Sequence, residues 1–362
     1  MGERVLLNRI ACLAMLMLAV PASVSAQPGA ELAPRDRPLV IAHRGASGER
    51  PEHTLAAYER AIDQGADFIE PDLVVTKDLH LIARHENELS DTTDVASREE
   101  FADRRRTKNV EGQQVAGWFA EDFTLAEIRT LRARERVGNI RPASASFNGL
   151  YQVPTFAEIV DLVRAKEGES GRTIGLYPEL KHPTLLLEQE GIDMVDLMVR
   201  ELQRFDLDDA DDPVFVQVFE VGPLQRLNAR VDTPLVLLIG PEGGPYDEPE
   251  MRWAEMITPL GLREIAQYAD GIGPWLGHVI DPATMQPTGL VSDAQAADLK
   301  VHPWTLRTEN GFLPEALQRP GGPSSPGAYD RLWRAAIATG ADGFFVDNIG
   351  EFVALIDATS SH

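Results

Sequence analysis

The sequence is poor in cysteine, with only Cys12 among its 362 residues. A single thiol excludes a framework of disulfides within the chain, so the fold has to be stabilised by packing.

Positive charge is also scarce, because 34 Lys and Arg stand against 57 Asp and Glu, for a formal net charge of −23. So acidic a chain repels nucleic acids and anionic membranes. We therefore expect no nucleic-acid partner and no stable membrane association.

Several motifs that define enzyme classes are missing. No Gly-x-Gly-x-x-Gly follows the first predicted strand and no Walker sequence occurs, which disfavours the nucleotide-binding folds. No Gly-x-Ser-x-Gly is present, so a covalent acyl mechanism at a serine is not expected. No His/Cys cluster has zinc spacing, and no internal repeat or heptad pattern appears.

The longest apolar segment, 10–20, is too short for a membrane span, which needs about 20 residues. Two arginines precede it and small residues follow it up to Ala26, the pattern of a signal peptide. The sequence therefore predicts a leader over 1–26, cleaved near Ala26, and a flexible lead-in over 27–37. The mature protein would be periplasmic or secreted. The alternative is a retained membrane anchor.

Two histidines follow short apolar runs that read as strands. His43 and Arg44 come directly after the run 40–42, and His85 follows the run 79–83. Histidines on different strands can divide the acid and base work of a reaction near neutral pH. The alternative for each histidine is a structural role.

Two carboxylates lie inside an apolar strand. Glu70 and Asp72 stand two residues apart in the run 68–75, and strand side chains alternate, so both point to one face. Burying them is costly unless they are paired or bind a metal. Glu179, at the end of a later strand, adds a third oxygen donor. Oxygen-only ligation predicts one divalent cation, with Ca²⁺ favoured over Mg²⁺.

Further polar and aromatic residues stand near strand ends. Arg44 offers a planar fork for phosphate oxygens and Lys181 a point charge. The alternative for Lys181 is an ion pair with Glu179. Phe219 and Trp304 are placed to contact the substrate, or else to pack at the top of the sheet.

Strands alternating with helices over this length indicate an α/β fold with a parallel sheet covered by helices. About eight such units, with polar residues at the C-terminal ends of the strands, favour a (β/α)8 TIM barrel over an open doubly wound sheet. The polar stretch 87–150, with one predicted helix over 124–134, is interpreted as an insertion after an early barrel strand. We expect residues 38–362 to form a single domain. The predicted strands cover 40–42, 68–75, 79–83, 173–180, 214–219, 234–239, 271–274, 300–306 and 343–346.

The same residues form a set of motifs that runs through most of the chain. They begin with His-Arg-Gly-Ala-Ser-Gly and Pro-Glu-His-Thr and continue with Gly-Ala-Asp, Glu-Pro-Asp, Thr-Lys-Asp and a histidine. Their positions are 43–48, 51–54, 65–67, 70–72, 76–78, 85, 177–181, 217–220 and 340–347. In this order they resemble the glycerophosphodiester phosphodiesterase family, in its exported bacterial type, within the phosphatidylinositol-phospholipase-C-like phosphodiesterase superfamily.

The resemblance implies metal-dependent hydrolysis of glycerophosphodiesters to sn-glycerol 3-phosphate and an alcohol. His43 and His85 would be the general acid and base, and Glu70, Asp72 and Glu179 the metal ligands. The glycerol hydroxyl of the substrate would attack phosphorus and expel the alcohol. Water would then open the cyclic phosphate.

One residue departs from the family pattern. Glu86 follows His85 where the family commonly has aspartate, so the orientation of His85 could differ by the reach of one methylene.

Two other functions stay open: a phosphodiesterase or phospholipase acting on intact lipids, and a binding protein on the same fold. The preferred alcohol, the choice between Ca²⁺ and Mg²⁺, the assignment of acid and base, and the oligomeric state are also open.

Overall fold

The computed structural model describes Met1 and residues 37–360. Apart from Met1, the predicted signal peptide, 1–26, lies outside the described residues, as do all but the last residue of the predicted lead-in, 27–37. In the part of the chain that the structure describes, no helix is both long and apolar enough to cross a bilayer.

The fold is a TIM barrel, as the sequence predicts. Within residues 37–360, eight parallel strands pair in sequence order around the barrel. They are β1 (Leu39–His43), β2 (Phe68–Glu70 continued by Asp72–Val75), β3 (Gly175–Leu176 continued by Glu179–Leu180), β4 (Val216–Val218), β5 (Leu235–Ile239), β6 (Gly271–Pro274), β7 (Lys300–Val301) and β8 (Gly343–Val346).

Backbone hydrogen bonds join β7 and the chain after it to β8 and so complete the ring of strands. The backbone N–H of Asp342 donates to the carbonyl of Val301, and that of Leu306 donates to the carbonyl of Phe345. The chain beyond β7 therefore runs beside β8, although its ladder is irregular. Because β8 also pairs with β1 along its whole length, no strand edge is left open there.

Helices surround the barrel. The longer ones are α1 (Leu55–Asp63), α2 (Phe156–Ser170), α3 (Pro183–Glu190), α4 (Met194–Arg204), α5 (Val221–Asn228), α6 (Pro259–Ile265), α7 (Leu290–Gln295), α8 (Tyr329–Ile337) and α9 (Ile349–Ser360). Gly191 ends α3 in a left-handed conformation, and the side chain of Asp193 caps the start of α4.

Side chains alternate along the barrel strands, so one set packs against the helices and the other fills the barrel interior. Val40 and Ala42 pack outward with the helices, whereas Ile41 faces the barrel interior. The interior also contains Tyr177, whose ring centroid lies 5.1 Å from that of Phe345. These large side chains fill the barrel, so the space for a ligand lies above them, at the C-terminal ends of the strands.

The prediction of a barrel strand over 79–83 is wrong. Leu81–Ala83 instead pairs antiparallel with the second half of β2, with Ala83 opposite Leu73. That half of β2 therefore extends beyond the barrel as one arm of a hairpin. The second arm runs back toward the barrel and brings His85 to its mouth.

The polar stretch 87–150 has a small core of its own. Its apolar side chains pack on the hairpin that extends β2, around Val74, Ile82, Leu89, Phe101, Phe123 and Ile128. The predicted helix over 124–134 is wrong in length, since only Leu125–Ile128 is helical. A capping box at Thr124 begins this helix, but Ala133 bonds to Tyr151 and so holds the following chain extended.

Candidate active site and metal centre

A cavity of about 100 Å³ opens at the C-terminal ends of the barrel strands. Eight of the nine predicted site residues line it: His43, Arg44, Glu70, His85, Glu179, Lys181, Phe219 and Trp304. The ninth, Asp72, is buried beside two of them, because its carboxylate lies within 4.8 Å of those of Glu70 and Glu179. The structure therefore brings the predicted residues together.

His43 ends β1 and is held by a carboxylate that follows β8, the neighbouring strand of the barrel. Its Nδ1 lies 2.6 Å from Oδ1 of Asp347, which follows β8. The other oxygen of Asp347 accepts from Arg141 at 2.5 Å and from Arg307 at 2.8 Å. Burial opposes the charge on Asp347, but the two arginines hold its pKa well below the usual range. An ionised carboxylate only accepts hydrogen bonds, so Nδ1 of His43 donates and Nε2 is the basic nitrogen.

The protonation of His43 follows from its surroundings. The side chain is buried, and burial together with the positive charge of Arg44 lowers its pKa to about 4. His43 is therefore neutral near pH 7 and can accept a proton at Nε2.

His85 reaches the cavity from the hairpin rather than from a barrel strand. Desolvation by the surrounding protein, with the charges of Arg44 and Lys181, lowers its pKa to about 3. Its Nδ1 lies 2.8 Å from Oε1 of Glu86, but the two atoms are poorly directed for a hydrogen bond. Glu86, the residue that departs from the family pattern, thus contacts His85 but does not fix its ring. Asp347, in contrast, fixes the ring of His43.

Two prolines place the three carboxylates side by side. Pro71 separates the two halves of β2 between Glu70 and Asp72, and Pro178 interrupts β3 just before Glu179. The register pairs Asp72 with Glu179, and the N–H of Glu179 donates to the carbonyl of Pro71 at 2.9 Å. Parallel pairing across the two interruptions therefore forms the cluster.

The electrostatics of this cluster fit a bound cation. Burial and the charge of Asp72 raise the pKa of Glu70 well above its usual range. Burial, opposed by Lys181 and aided by Asp72, raises the pKa of Glu179 to about 8. Asp72 is different, because although burial opposes its charge, His53, which donates a hydrogen bond to it, and the charges of Lys181 and Arg44 hold its pKa well below normal. A divalent cation would remove the repulsion, since it favours the ionised form of all three groups.

The hydrogen bonds around the cluster leave room for such an ion. His53 donates to Oδ2 of Asp72 at 2.9 Å, and Gln217 donates to Oε1 of Glu70 at 3.1 Å. Oδ1 of Asp72 is buried and has no hydrogen-bond partner. Three hard oxygen donors with one buried oxygen unsatisfied form a donor set suited to Ca²⁺ or Mg²⁺.

The two cations predicted to bind phosphate both contact carboxylates. The guanidinium of Arg44 lies 3.3 Å from Glu52 and 3.3 Å from Asp72, and Nζ of Lys181 lies 2.9 Å from Glu179. The ion pair considered as the alternative for Lys181 is therefore present. Both side chains still line the cavity.

An aromatic wall faces these charges. The rings of Phe219 and Trp304 meet edge to face, with centroids 6.1 Å apart, and Nζ of Lys181 lies 5.8 Å from the centroid of Phe219. The indole N–H of Trp304 donates to the carbonyl of Gly273 at 2.9 Å, which fixes the ring. The cavity thus has one charged side and one apolar side.

Sequence reasoning missed the residues that orient the site. Arg141 comes from the insertion and Arg307 from the chain after β7, and both bind Asp347. His53, which sequence reasoning had not placed among the site residues, is fully buried between Asp72 and the hydroxyl of Tyr58. Asp347 itself carried a signal, because it is a carboxylate directly after the last barrel strand.

Comparison with known proteins identifies a family. The model of the glycerophosphoryl diester phosphodiesterase family matches residues 43–351, which is most of the chain. The glycerophosphodiester phosphodiesterase GDPD6 of Arabidopsis thaliana is 36% identical over 328 residues, covering 87% of this chain and 84% of that protein.

Solved structures agree on the fold. A structure from Silicibacter pomeroyi assigned to the glycerophosphoryl diester phosphodiesterases superposes with a TM-score of 0.64 at 22% identity, covering 90% of this chain and 94% of that one. A phosphodiesterase from Oleispira antarctica, solved in complex with the product sn-glycerol-3-phosphate, gives a TM-score of 0.57 at 22% identity and covers 89% and 97%.

Proposed function

The chain belongs to the glycerophosphoryl diester phosphodiesterase family, and we propose that it hydrolyses glycerophosphodiesters to sn-glycerol 3-phosphate and an alcohol, using a divalent cation and two histidines. One observation carries the proposal: a single cavity is lined by both histidines, by Arg44 and Lys181, and by members of a cluster of three buried carboxylates. The product bound by the Oleispira antarctica protein supports the product assigned here.

Glu70, Asp72 and Glu179 would hold the cation, with Ca²⁺ favoured over Mg²⁺ because three protein carboxylates exceed the one or two that Mg²⁺ usually takes. When bound, the cation would supply positive charge against the phosphate and the three carboxylates. Arg44 and Lys181 would add positive charge from the protein beside it. These charges draw an anionic diester into an otherwise acidic molecule.

The reaction has two steps, each with two proton transfers. His43, neutral and held through Nδ1, takes the proton of the glycerol hydroxyl at Nε2 as that oxygen attacks phosphorus. The bond from phosphorus to the alcohol oxygen breaks, and His85 gives that oxygen a proton. A bound phosphodiester anion raises the pKa of a neighbouring imidazole, so it favours the protonated form of His85 that this step needs. Water then opens the cyclic phosphate, with the two histidines in reversed roles.

The test is release of sn-glycerol 3-phosphate from glycerophosphocholine by the protein treated with EDTA and then given Ca²⁺ or Mg²⁺. We expect no release with EDTA, recovery with the metal, and loss of activity in His43→Asn and Glu70→Gln. His80→Asn, at a half-exposed histidine outside the cavity, is the matched control and should behave as wild type. No release from several glycerophosphodiesters by folded, metal-loaded protein would refute the proposal. Release from lipid vesicles instead would favour action on intact lipids.

We also propose that the protein is exported as a single TIM-barrel domain of residues 38–362 and lies in the periplasm or outside the cell. The proposal rests on the signal-peptide pattern of 1–26. Sequencing the N-terminus of the mature protein should find cleavage near Ala26, whereas an intact leader on protein in the membrane fraction would contradict export.

A further inference from the structure

A second, larger cleft adjoins the catalytic cavity. It has a volume of about 450 Å³ and lies between the residues that follow His85 and the hairpin of the insertion formed by Arg106–Val110 and Gln113–Gly117. Among the residues that line either space, His85 alone lines both. Because His85 lines both spaces, an arm of the diester that leaves the catalytic cavity past His85 enters this cleft.

The arm that passes His85 is the alcohol arm. The histidine that protonates the leaving oxygen has to contact it, and the proposed reaction gives that step to His85, because Nε2 of His43 takes the proton of the glycerol hydroxyl. The alcohol therefore begins at His85, where the cleft opens. The glycerol arm then lies on the apolar side of the cavity, against Phe219 and Trp304.

The cleft is strongly acidic. Its lining includes Glu86, Glu88, Asp91 and Glu111, with Arg136 and His182 as its cationic groups. His182 is held between two of the carboxylates: Nδ1 lies 2.6 Å from Glu111, and Nε2 lies 3.0 Å from Glu86. Both nitrogens therefore donate, so His182 is an imidazolium that offsets part of the charge of these two groups.

The other two carboxylates are not offset. Arg136 is paired with Glu52 at 3.3 Å, outside the lining of the cleft. Glu88 accepts hydrogen bonds from neutral backbone and hydroxyl groups. Within residues 37–360, neither Glu88 nor Asp91 forms an ion pair with a lysine, arginine or histidine. The cleft thus keeps negative charge that a cationic ligand can satisfy.

A buried acceptor in the lining also lacks a partner. Asn87 is 1% exposed, and its Nδ2 donates to Glu121 at 3.2 Å. Because the nitrogen faces a carboxylate, the orientation of the amide is fixed, and its Oδ1 has no hydrogen-bond partner. The cleft has no Phe, Tyr or Trp among its described lining residues, so it contains no aromatic cage for a quaternary ammonium.

We propose that this cleft receives the alcohol arm of the diester and selects an alcohol that carries a primary ammonium group, as in an ethanolamine ester. A primary ammonium offers three N–H donors, which match the carboxylates of Glu88 and Asp91 and the amide oxygen of Asn87. A trimethylammonium group has the charge but no donor. A neutral alcohol lacks the charge. The inference rests on the proposed function, because it concerns the leaving group of that reaction.

The test compares kcat/KM of the metal-loaded protein on three glycerophosphodiesters that differ only at the end of the alcohol: 2-aminoethyl, 2-hydroxyethyl and 2-(trimethylammonio)ethyl. We expect the aminoethyl ester to exceed the hydroxyethyl ester by about tenfold and to exceed the trimethylammonio ester as well. Asp91→Asn should lower the ratio of aminoethyl to hydroxyethyl by about fivefold, the size expected for one partly exposed charge. Asp103→Asn, an exposed aspartate of the same insertion outside the cleft, should leave the ratio unchanged.

Each contrary outcome has its own meaning. Equal kcat/KM for the aminoethyl and hydroxyethyl esters, or a ratio that Asp91→Asn does not change, would overturn the inference and leave the proposed function standing. A trimethylammonio ester cleaved faster than the aminoethyl ester would overturn the choice of a primary ammonium. No hydrolysis of any of the three esters would refute the proposed function, and this inference with it.

Discussion

Nδ1 of His43 and Oδ1 of Asp347 lie 2.6 Å apart, although 304 residues separate them in the sequence. The contact joins the end of the first barrel strand to the end of the last, so it forms only when the barrel closes. Arg141 ties the insertion into the same contact, because it donates to the other oxygen of Asp347. The tautomer of the histidine thus depends on the closed barrel and on the insertion together.

Asp347→Asn should therefore lower kcat by about 10- to 100-fold, the usual effect of removing a residue that orients a reacting group. The amide can donate to Nδ1 of His43 and so stabilise the wrong tautomer. Metal affinity, measured by isothermal titration calorimetry, should stay within twofold of wild type, since Asp347 lies outside the carboxylate cluster. An equal loss of metal affinity would mean that the substitution disturbs the whole site rather than His43.

Glu179→Gln should weaken binding of Ca²⁺ and, at the same time, stabilise the metal-free protein. Both effects follow from crowding, because three buried carboxylates repel one another until a cation joins them. We expect Kd to rise by about 100-fold and the metal-free Tm to rise by several degrees. Differential scanning fluorimetry with and without Ca²⁺ measures both.

Glu201→Gln, at a partly exposed glutamate on α4 remote from the cluster, is the control and should change neither quantity. A metal-free Tm that falls in Glu179→Gln would show that the ion pair with Lys181 outweighs the repulsion, contrary to this account.

The sequence was sufficient for the features that depend on local pattern. Alternation placed Glu70 and Asp72 on one face of a strand, and the repeated strand and helix pattern predicted the barrel. The placement of His43 at the end of a strand followed from the same pattern. These features need only the period of a strand and the parallel order of its neighbours.

Features that depend on contacts between distant segments were not predictable. Nothing local shows that Leu81–Ala83 turns back on β2, and this reversal is what carries His85 to the mouth of the barrel. Likewise, Arg141 lies in a polar insertion, 206 residues before the aspartate that it binds. Its sequence neighbours give no sign of the contact, because the partner is supplied by the closed barrel.

The stability of the protein should carry a pH dependence from His182. Burial opposes its charge, but hydrogen bonds to Glu111 and Glu86 raise its pKa to about 9, above the ordinary value of 6.5. A raised histidine pKa stabilises the fold fully below pH 6.5, and the contribution is lost as pH rises toward 9. The Tm of wild type should therefore exceed that of His182→Gln by a margin that shrinks over this range. A margin that stays constant from pH 6 to 9.5 would show that the imidazolium contributes nothing.

Arg84→Lys should destabilise the protein by about 2–4 kcal/mol and lower kcat. Arg84 is fully buried, and its guanidinium donates to four carbonyl oxygens, among them those of Glu52 and His53. Burial lowers its pKa to about 10, so it stays charged at pH 7. Within residues 37–360 it forms no ion pair, so the carbonyls alone solvate the charge, and a lysine cannot reach all four. Because His85 is the next residue, a looser fit at position 84 also displaces its imidazole, which is the reason for the expected fall in kcat. Urea unfolding measures the first effect, and Arg105→Lys, at an exposed arginine, should leave the transition in place. An unchanged urea midpoint in Arg84→Lys would show that the four hydrogen bonds of Arg84 do not stabilise the fold.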